Sequence, residues 1–456
     1  MEPFIQHLIN EEDTRQESYR QYRDYYDGRQ GVILTDRQRK YLHVPTDKEF
    51  SANYMHIVVD SVVTRLSVSG FSVAGDAALS KVLNTWMRQM RINSIQNGIH
   101  TAAIRDGDAY GLCDWNIRRG HPVIVPHLAY DGRGGVHAHY SPERIEPVVF
   151  AKVWTVEEAW SGGKVGMRRM NLYFEERVER YWANAQTGVT DWQPWSGNGL
   201  PPVETYVFGF PFVHFTNRAR GFRYGQSELE PGIPMQDALN KAIVDLLGAA
   251  DASGFRIMTM IGGDPTGLSL SPGSWVYLDE KGPDEASIGH VPGEPLRPHI
   301  EVIDNFVQRI GQVTDTPLSY FQQSGQMASE GTHRQHEARM LAKVRTASVE
   351  LGEQWEEIMR ACIRLSNYYA NTDYDEEAEI DVMWADFDIR DAEEKAKLRA
   401  ETMKLYTEAL VGVEQAAIES GHSEARAKAM AEMEYVNMER EARTADDDGT
   451  VEEPAS

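Results

Sequence analysis

The sequence predicts an α+β protein organised around one long helix. Between Thr332 and Ala370 the chain contains no proline and a single glycine, Gly352. Apolar or small residues recur there every three or four positions, which places them on one face of a helix. They are Leu341, Val344, Ser348, Leu351, Trp355, Ile358, Cys362, Leu365 and Tyr369. Upstream, segments between residues 109 and 210 alternate apolar and polar residues and are separated by turn sequences, which is typical of half-buried strands.

The N-terminal part of the chain is predicted to be helical and to pass into strands near residue 109. Helices are expected over residues 2–28, 52–66, 77–90 and 94–106, the last ended by Gly107. Strands are expected over residues 109–116, 123–127, 148–155, 170–174, 178–183 and 205–210. His137 and His139 alternate on a further predicted strand and so share one of its faces.

The second half is predicted to place a small β segment between two helices. Helices are expected over residues 234–252 and 299–314, with strands at 256–261 and 274–278 between them. A polar loop over 317–331 then opens onto the long helix, whose start is predicted from Thr332 and Gln335 as a capping box. An acidic run at 373–381, a strand at 382–387, two helices within 391–443 and an acidic tail complete the chain.

Composition narrows the class of protein. The 456 residues carry 46 basic and 70 acidic side chains, a formal net charge of −24. This balance argues against a simple nucleic-acid binder with a basic face, but not against a surface past which nucleic acid slides. Cys113 and Cys362 lack paired spacing, so we expect no disulfide scaffold or zinc ribbon, in a protein made in a reducing cytoplasm. Cys113 lies in an apolar predicted strand and Cys362 on the apolar face of the long helix, so we expect both to be structural. We expect neither a signal peptide nor a membrane-spanning segment.

No motif for phosphate or nucleophilic chemistry is present. The sequence Gly162 to Gly166 lacks the glycine spacing and the Ser/Thr of a Walker loop and is typical of a hairpin turn. Ser227 lacks the second glycine of a nucleophile elbow. We interpret it as a helix N-cap, with Glu228 and Glu230 in the first helical turn.

Metal and carboxylate chemistry has little more support. His333, His336 and Glu337 do not follow the zincin spacing, and His137 and His139 lack a third ligand. Asp106 and Asp108 flank Gly107, and the run at 373–381 is acidic. Such clusters are usually solvated, so we predict no catalytic residue, no metal and no cofactor. A metal-dependent hydrolase using carboxylates of the α+β body remains an alternative.

The order of the parts resembles the portal proteins of tailed bacteriophages, in particular those of siphophages such as SPP1. That order is a helix, a Gly/Pro-rich β insertion, a second helix, a flexible loop and a long helix. Short sequences that look like the family are Tyr25 to Gly28, Asn53 to Asp60, Gly225 to Glu230, Thr316-Pro317, and the strand at 380–387 followed by two helices. The resemblance extends over nearly the whole chain, to about Arg443.

The resemblance implies a portal fold with named parts. These are a wing (1–225), two stem helices (226–253 and 298–316), a clip (254–297), a tunnel loop (317–331), a long spine helix of the wing (332–371), an acidic segment with a wing strand (372–390), a helical crown (391–443) and a disordered acidic tail (444–456). The tunnel-loop residues expected to touch DNA are Phe321, Gln322, Gln323, Ser324, Gln326 and Met327, with Phe321 and Met327 as an apolar tip. The clip residues expected to meet partners are Gly262, Asp264, Pro265, Trp275 and Tyr277.

The resemblance also implies a function without catalysis. Twelve copies would form a ring at one capsid vertex of the virion, assembled in the host bacterial cytoplasm. The ring would be the channel for double-stranded DNA during packaging and ejection. Its expected partners are the terminase large subunit, then a head-tail adaptor protein, with the major capsid and scaffolding proteins around it. Because the loop lacks lysine and arginine, we expect it to slide on DNA rather than grip it. Another ring-forming head or adaptor protein is a further alternative.

Overall fold

The structure is a computed structural model. It describes residues 2–30, 36–41, 51–132, 134–141, 143–144, 146–157, 165–184, 192–197, 199–219, 223–254, 257–261, 275–278, 287–291, 295–321, 330–387 and 431. The predicted crown and acidic tail, apart from residue 431, lie outside these residues.

Eight α-helices occur in the described part of the chain. They are α1 (Glu2–Asp27), α2 (Asp36–Tyr41), α3 (Met55–Val63), α4 (Ala77–Gln89), α5 (Ile92–Asp106), α6 (Ile233–Gly254), α7 (Arg297–Val313) and α8 (Glu330–Ala370). The helices predicted outside the crown are therefore confirmed, whereas α2 was not predicted. The capping box is wrong: α8 already begins at Glu330, so Thr332 lies inside its first turn.

Fourteen strands occur among the same residues. They are β1 (Val68–Val73), β2 (Asp108–Asn116), β3 (His121–Leu128), β4 (Gly135–Tyr140), β5 (Pro147–Thr155), β6 (Met167–Tyr173), β7 (Arg177–Asn184), β8 (Gln193–Pro194), β9 (Val203–Thr205), β10 (Phe212–Thr216), β11 (Ile257–Ile261), β12 (Trp275–Leu278), β13 (Ser287–Val291) and β14 (Ile380–Trp384). With the helices they confirm the α+β class.

The strands form four sheets. β10-β2-β3 lies at the centre, β4-β5-β6-β7-β8 forms a larger sheet with β9 added to β7, and β1 pairs with β14. A small sheet, β12-β11-β13, is inserted between α6 and α7. Every pairing is antiparallel except that of β11 with β12.

The predicted apolar face of α8 forms the centre of the main core. Leu351, Trp355, Ile358 and Cys362 are fully buried, and α8 packs against β2, β10 and β14. The prediction is weaker at the two ends of the stripe, where Leu341 is half-buried and Tyr369 is 46% exposed. A buried stripe of this length fixes α8 against the sheets, since each buried large apolar side chain contributes about 1.5–3 kcal/mol.

The strand predicted at 205–210 is wrong. The structure has strands on either side of it, β9 and β10, joined by a corner at Gly209, whose φ of 74° favours glycine. All five residues of β10 are buried. A strand buried on both faces shows no alternation of apolar and polar residues, which is why its period did not reveal it.

Candidate functional site

The predicted tunnel loop leaves α7 through a fixed turn. The helix ends with the Thr314 hydroxyl donating to the Ile310 carbonyl at 2.7 Å, and the Thr316 amide bonds to the Gly311 carbonyl at 2.9 Å. Asp315 between them has a φ of 51°, a left-handed conformation that aspartate tolerates better than most residues. A one-turn 3₁₀ helix, Leu318–Tyr320, follows. The described end of this loop is therefore ordered by local hydrogen bonds.

Phe321 anchors this end of the loop. Its ring packs against the main core and lies 6.1 Å from the ring of Tyr54, centroid to centroid. Gly311 permits the approach, because a Cβ there would lie 3.4 Å from the Phe321 ring and 2.9 Å from the Thr316 carbonyl oxygen. Phe321 thus sits at the base of the loop rather than at an apolar tip. Gln322, Gln323, Ser324, Gln326 and Met327 lie outside the described residues.

Lys343 connects α8 both to the turn after α7 and to the segment before α6. The Lys343 ammonium lies 2.6 Å from the Glu228 carboxylate and donates to the Thr314 carbonyl at 2.8 Å. Glu228 is 1% exposed and also contacts Arg218 at 3.3 Å. The ion pair thus joins α8 to the segment before α6, where loss of one partner would leave an uncompensated buried charge. The bond to Thr314 joins α8 to the end of α7.

The role predicted for Ser227 is wrong. Its hydroxyl donates to the Arg105 carbonyl and accepts from the Leu229 amide at 3.1 Å, while the following 3₁₀ helix begins only at Glu230. Ser227 therefore ties this segment to α5 instead of capping a helix. Likewise, Glu228 precedes the helix start at Glu230 and is a buried ion-pair partner rather than a first-turn residue.

Asp106 and Asp108 are buried, contrary to the prediction of solvated carboxylates. Asp108 is fully buried and accepts hydrogen bonds from Arg15 at 2.8 Å, Tyr19 at 2.6 Å and the Gly225 amide at 2.9 Å. His214 Nε2 lies 2.9 Å from the same carboxylate. Asp108 thus joins α1, β2, β10 and the segment before α6.

The electrostatics of the two carboxylates differ. Burial alone would raise the pKa of Asp108, but the hydrogen bond and charge of His214, together with Arg15, outweigh it and hold the pKa below its usual value. Burial raises the pKa of Asp106, although its two hydrogen bonds from Arg105, of 2.6 and 2.5 Å, oppose the shift. Each carboxylate has an arginine partner, as structural ion pairs do.

His137 is a buried structural residue rather than a surface one. It is 3% exposed, its ring stacks on Tyr224 at 5.4 Å, and the Tyr224 hydroxyl lies 3.1 Å from its Nε2. Among the residues that the structure describes, no group of three or more His, Cys, Asp or Glu is arranged to hold a metal ion. No described helix is long and apolar enough to cross a membrane.

The predicted clip contains the small sheet. Trp275 and Tyr277 lie on β12, in register with Met258 and Met260 of β11. Gly262, Asp264 and Pro265 lie outside the described residues. Within the described part of the chain, β12 and β13 are the edges of this sheet.

Three ion pairs that join α1, α3 and α8 to distant parts of the chain were not predicted from the sequence. They are Arg15–Asp108, Lys343–Glu228 and Arg65–Glu337. Their partners are far apart in the sequence, so no local pattern signals them. The only hint was Gly107 between two aspartates, since Gly107 has a φ of 92° and contacts Gly225 closely.

The described residues form an α+β body around one long helix, with a helix–sheet–helix insertion before that helix. The family model described as phage portal protein, SPP1 Gp6-like, matches residues 5–412. The chain therefore belongs to the SPP1 Gp6-like phage portal protein family. This family is structural and non-enzymatic, is part of the phage virion, and implies an oligomeric ring.

A solved structure described as the neck of an empty GTA particle computed with C6 symmetry is similar to this chain. It has 14% sequence identity and a TM-score of 0.45, and the match covers 81% of this chain and 89% of the other. No curated protein sequence matches the chain.

Proposed function

We propose that twelve copies of this chain form the ring at one capsid vertex through which double-stranded DNA enters during packaging and leaves during ejection. Family membership supports this role. In this ring α6 and α7 would form the stem, and the β12-β11-β13 sheet would form the clip. Residues 317–331 would be the tunnel loop, and α8 would be the spine behind it. The helices and sheets before residue 226, together with β14, would form the wing. The crown, residues 391–443, would face the capsid interior, near the major capsid and scaffolding proteins.

The observation that carries the channel role is the fixed base from which the loop leaves α7. Phe321 packs on Tyr54, and Lys343 of α8 donates to the Thr314 carbonyl at the end of α7. Such a base lets a short polar segment project from a rigid support, which suits repeated contact with a moving polymer.

The charge of the chain supports sliding. A net charge of −24 per subunit accumulates when subunits form a ring. A wall that repels phosphate does not retain DNA, whereas a basic wall would release counterions on contact and hold it. Gln322, Gln323, Ser324 and Gln326 offer neutral hydrogen-bonding groups that touch a backbone without reading sequence.

The clip is proposed as the docking surface for the terminase large subunit and later for the head-tail adaptor. Edge strands such as β12 and β13 present unpaired backbone groups that can add a strand from another chain. Trp275 and Tyr277 are on such an edge, and aromatic residues contribute strongly at protein interfaces. Gly262, Asp264 and Pro265 complete this proposed surface.

Deleting Gln322 to Ser329 tests whether the loop is needed for DNA passage but not for ring assembly. We expect rings to form normally, seen by negative-stain electron microscopy, while DNA packaging falls well below the wild-type level because the contact with DNA is lost. A matched control replaces the same residues by glycine and serine without changing the loop length, which separates side-chain contact from spacing. Loss of the ring on deletion, or normal packaging, would overturn the proposal. So would wild-type protein that never forms a ring.

A further inference from the structure

Arg65 is a buried cation that the channel proposal does not use. It follows α3, and its side chain is 1% exposed. Its backbone amide bonds to the Val62 carbonyl at 3.1 Å, so the end of α3 is secured without the side chain. An unpaired guanidinium in the interior would lose its hydration without compensation, which is strongly unfavourable for any buried ion. Its partners must therefore offset that cost.

The guanidinium has three partners on separate parts of the chain. Nη2 donates to the Tyr320 hydroxyl at 2.7 Å and to a Glu337 carboxylate oxygen at 3.1 Å. Nη1 donates to the Phe387 carbonyl at 3.0 Å. Nε has no hydrogen-bond partner among the described residues. The planar fork of an arginine serves several acceptors in a fixed geometry, as a lysine cannot.

The positions of these partners are informative. Tyr320 is at the end of the 3₁₀ helix that enters the proposed tunnel loop, and Glu337 lies in the part of α8 that follows the loop. Phe387 follows β14 and is where the chain continues toward the proposed crown. One side chain of the wing thus joins the entrance of the loop, its exit, and the approach to the crown.

The three bonds depend on each other. They share one guanidinium, two of them share a single nitrogen, and the group is shielded from water, where hydrogen bonds and charges act strongly on their neighbours. If one partner moves, the guanidinium must either follow it or lose the bond. Water cannot easily replace the lost partner at a buried site. Displacement of one partner therefore weakens the hydrogen bonds of Arg65 to the other two.

We propose that Arg65 is a positioning residue that couples the two flanks of the tunnel loop to the segment that leads to the crown. The coupling would give the ring a route by which a change at the loop base reaches the capsid-facing end of the subunit. Its functional meaning rests on the proposed channel role, but the coupling itself is a property of the protein without DNA.

Hydrogen exchange measured by mass spectrometry on the purified full-length protein tests the coupling. For Arg65→Gln we expect amide exchange about ten-fold faster at residues 316–321, 337–341 and 383–387 together, because a charge-assisted bond is lost from each. The control is Arg360→Gln. Arg360 bonds to Glu356 and Glu357 on the surface of α8, so its loss should change exchange in these three segments by less than about two-fold.

Tyr320→Phe gives the sharper test and remains informative if Arg65→Gln does not fold. It removes one hydroxyl and leaves the ring, so a local effect would be confined to residues 318–321. Coupling predicts faster exchange also at 337–341 and 383–387. Arg65→Lys should not restore protection, since an ammonium cannot span the three acceptors. An effect of Tyr320→Phe confined to 318–321 would overturn the coupling. Because no DNA is present, that outcome is separate from failure of the loop-deletion packaging test.

Discussion

His100 is a buried histidine held between two parts of the core. The Trp355 indole donates to its Nε2 at 2.9 Å, and its Nδ1 lies 3.1 Å from the Leu66 carbonyl oxygen. Since Nε2 accepts and Nδ1 donates, the ring is neutral. Burial lowers the pKa of His100 to about 4, and the bond to Leu66 opposes the shift only in part.

This pKa predicts a loss of stability in acid. Above pH 6.5 His100 is neutral in both the folded and unfolded states. As the pH falls from 6.5 to 4, only the unfolded state takes up the proton, so up to about 3 kcal/mol of folding free energy is lost. The variant His100→Gln cannot titrate and should be less stable at pH 7. Its difference from wild type should shrink as the pH approaches 4, measured by urea denaturation. Parallel pH profiles would contradict this.

The structural character of Cys113 and Cys362 could be predicted from the sequence, but their contact with each other could not. Both were predicted to be structural, and both are buried. Burial raises the pKa of Cys113, so its thiol is a poor nucleophile. Their sulfur atoms lie 3.1 Å apart, although the residues are 249 positions apart in the chain. The character of each residue followed from its apolar neighbours, whereas the contact depends on how β2 packs on α8.

At the scale of elements, the close approach of two glycines holds the segment before α6 against the end of α5. A Cβ on Gly225 would lie 2.0 Å from the Gly107 carbonyl oxygen and 2.7 Å from that of Asn217. The Gly225 amide also bonds to Asp108 at 2.9 Å. These are backbone contacts, which cannot move aside as a side chain would.

We therefore predict that Gly225→Ala destabilises the protein by about 2–4 kcal/mol, through overpacking and loss of the bond to Asp108. Gly98→Ala is the matched control. Gly98 lies within α5 and no atom lies within 4 Å of its added Cβ, so alanine should stabilise it by about 0.5–1 kcal/mol. Urea denaturation of both variants checks the contrast. Equal effects of the two substitutions would show that the close approach is not as described.

Elements with a clear period were predictable, and their connections were not. The stripe of α8 predicted Val344, Leu351, Trp355 and Ile358 as core, and they are buried. β10 was not predicted, because both of its faces are buried and its residues therefore do not alternate between apolar and polar. The bonds that position the loop base, such as Lys343–Glu228, join residues more than a hundred positions apart and depend on tertiary packing that no local pattern encodes.

At the scale of the whole molecule, order along the chain was more informative than any motif. A helix, a small β insertion, a second helix, a loop and a long helix pointed to the portal family, and the match over residues 5–412 confirms membership. The net charge of −24 includes the acidic run at 373–381 and the acidic tail, whereas the predicted loop over 317–331 has no lysine or arginine and one acidic residue, Glu330. The loop therefore carries no positive charge that would attract phosphate.

The sliding hypothesis predicts a strong effect of positive charge in the loop. Replacing Gln322, Gln323 and Gln326 by lysine adds three charges per subunit, repeated around the ring. We expect slower DNA release from filled particles, because each phosphate contact releases counterions and so stabilises the bound state. Raising the salt concentration should restore release, as the Debye length falls from about 10 Å at 0.1 M to about 3 Å at 1 M. Replacement of the same residues by glutamate is the control and should leave release fast. If the lysine variant releases DNA at the wild-type rate at low salt, the loop does not contact the moving duplex.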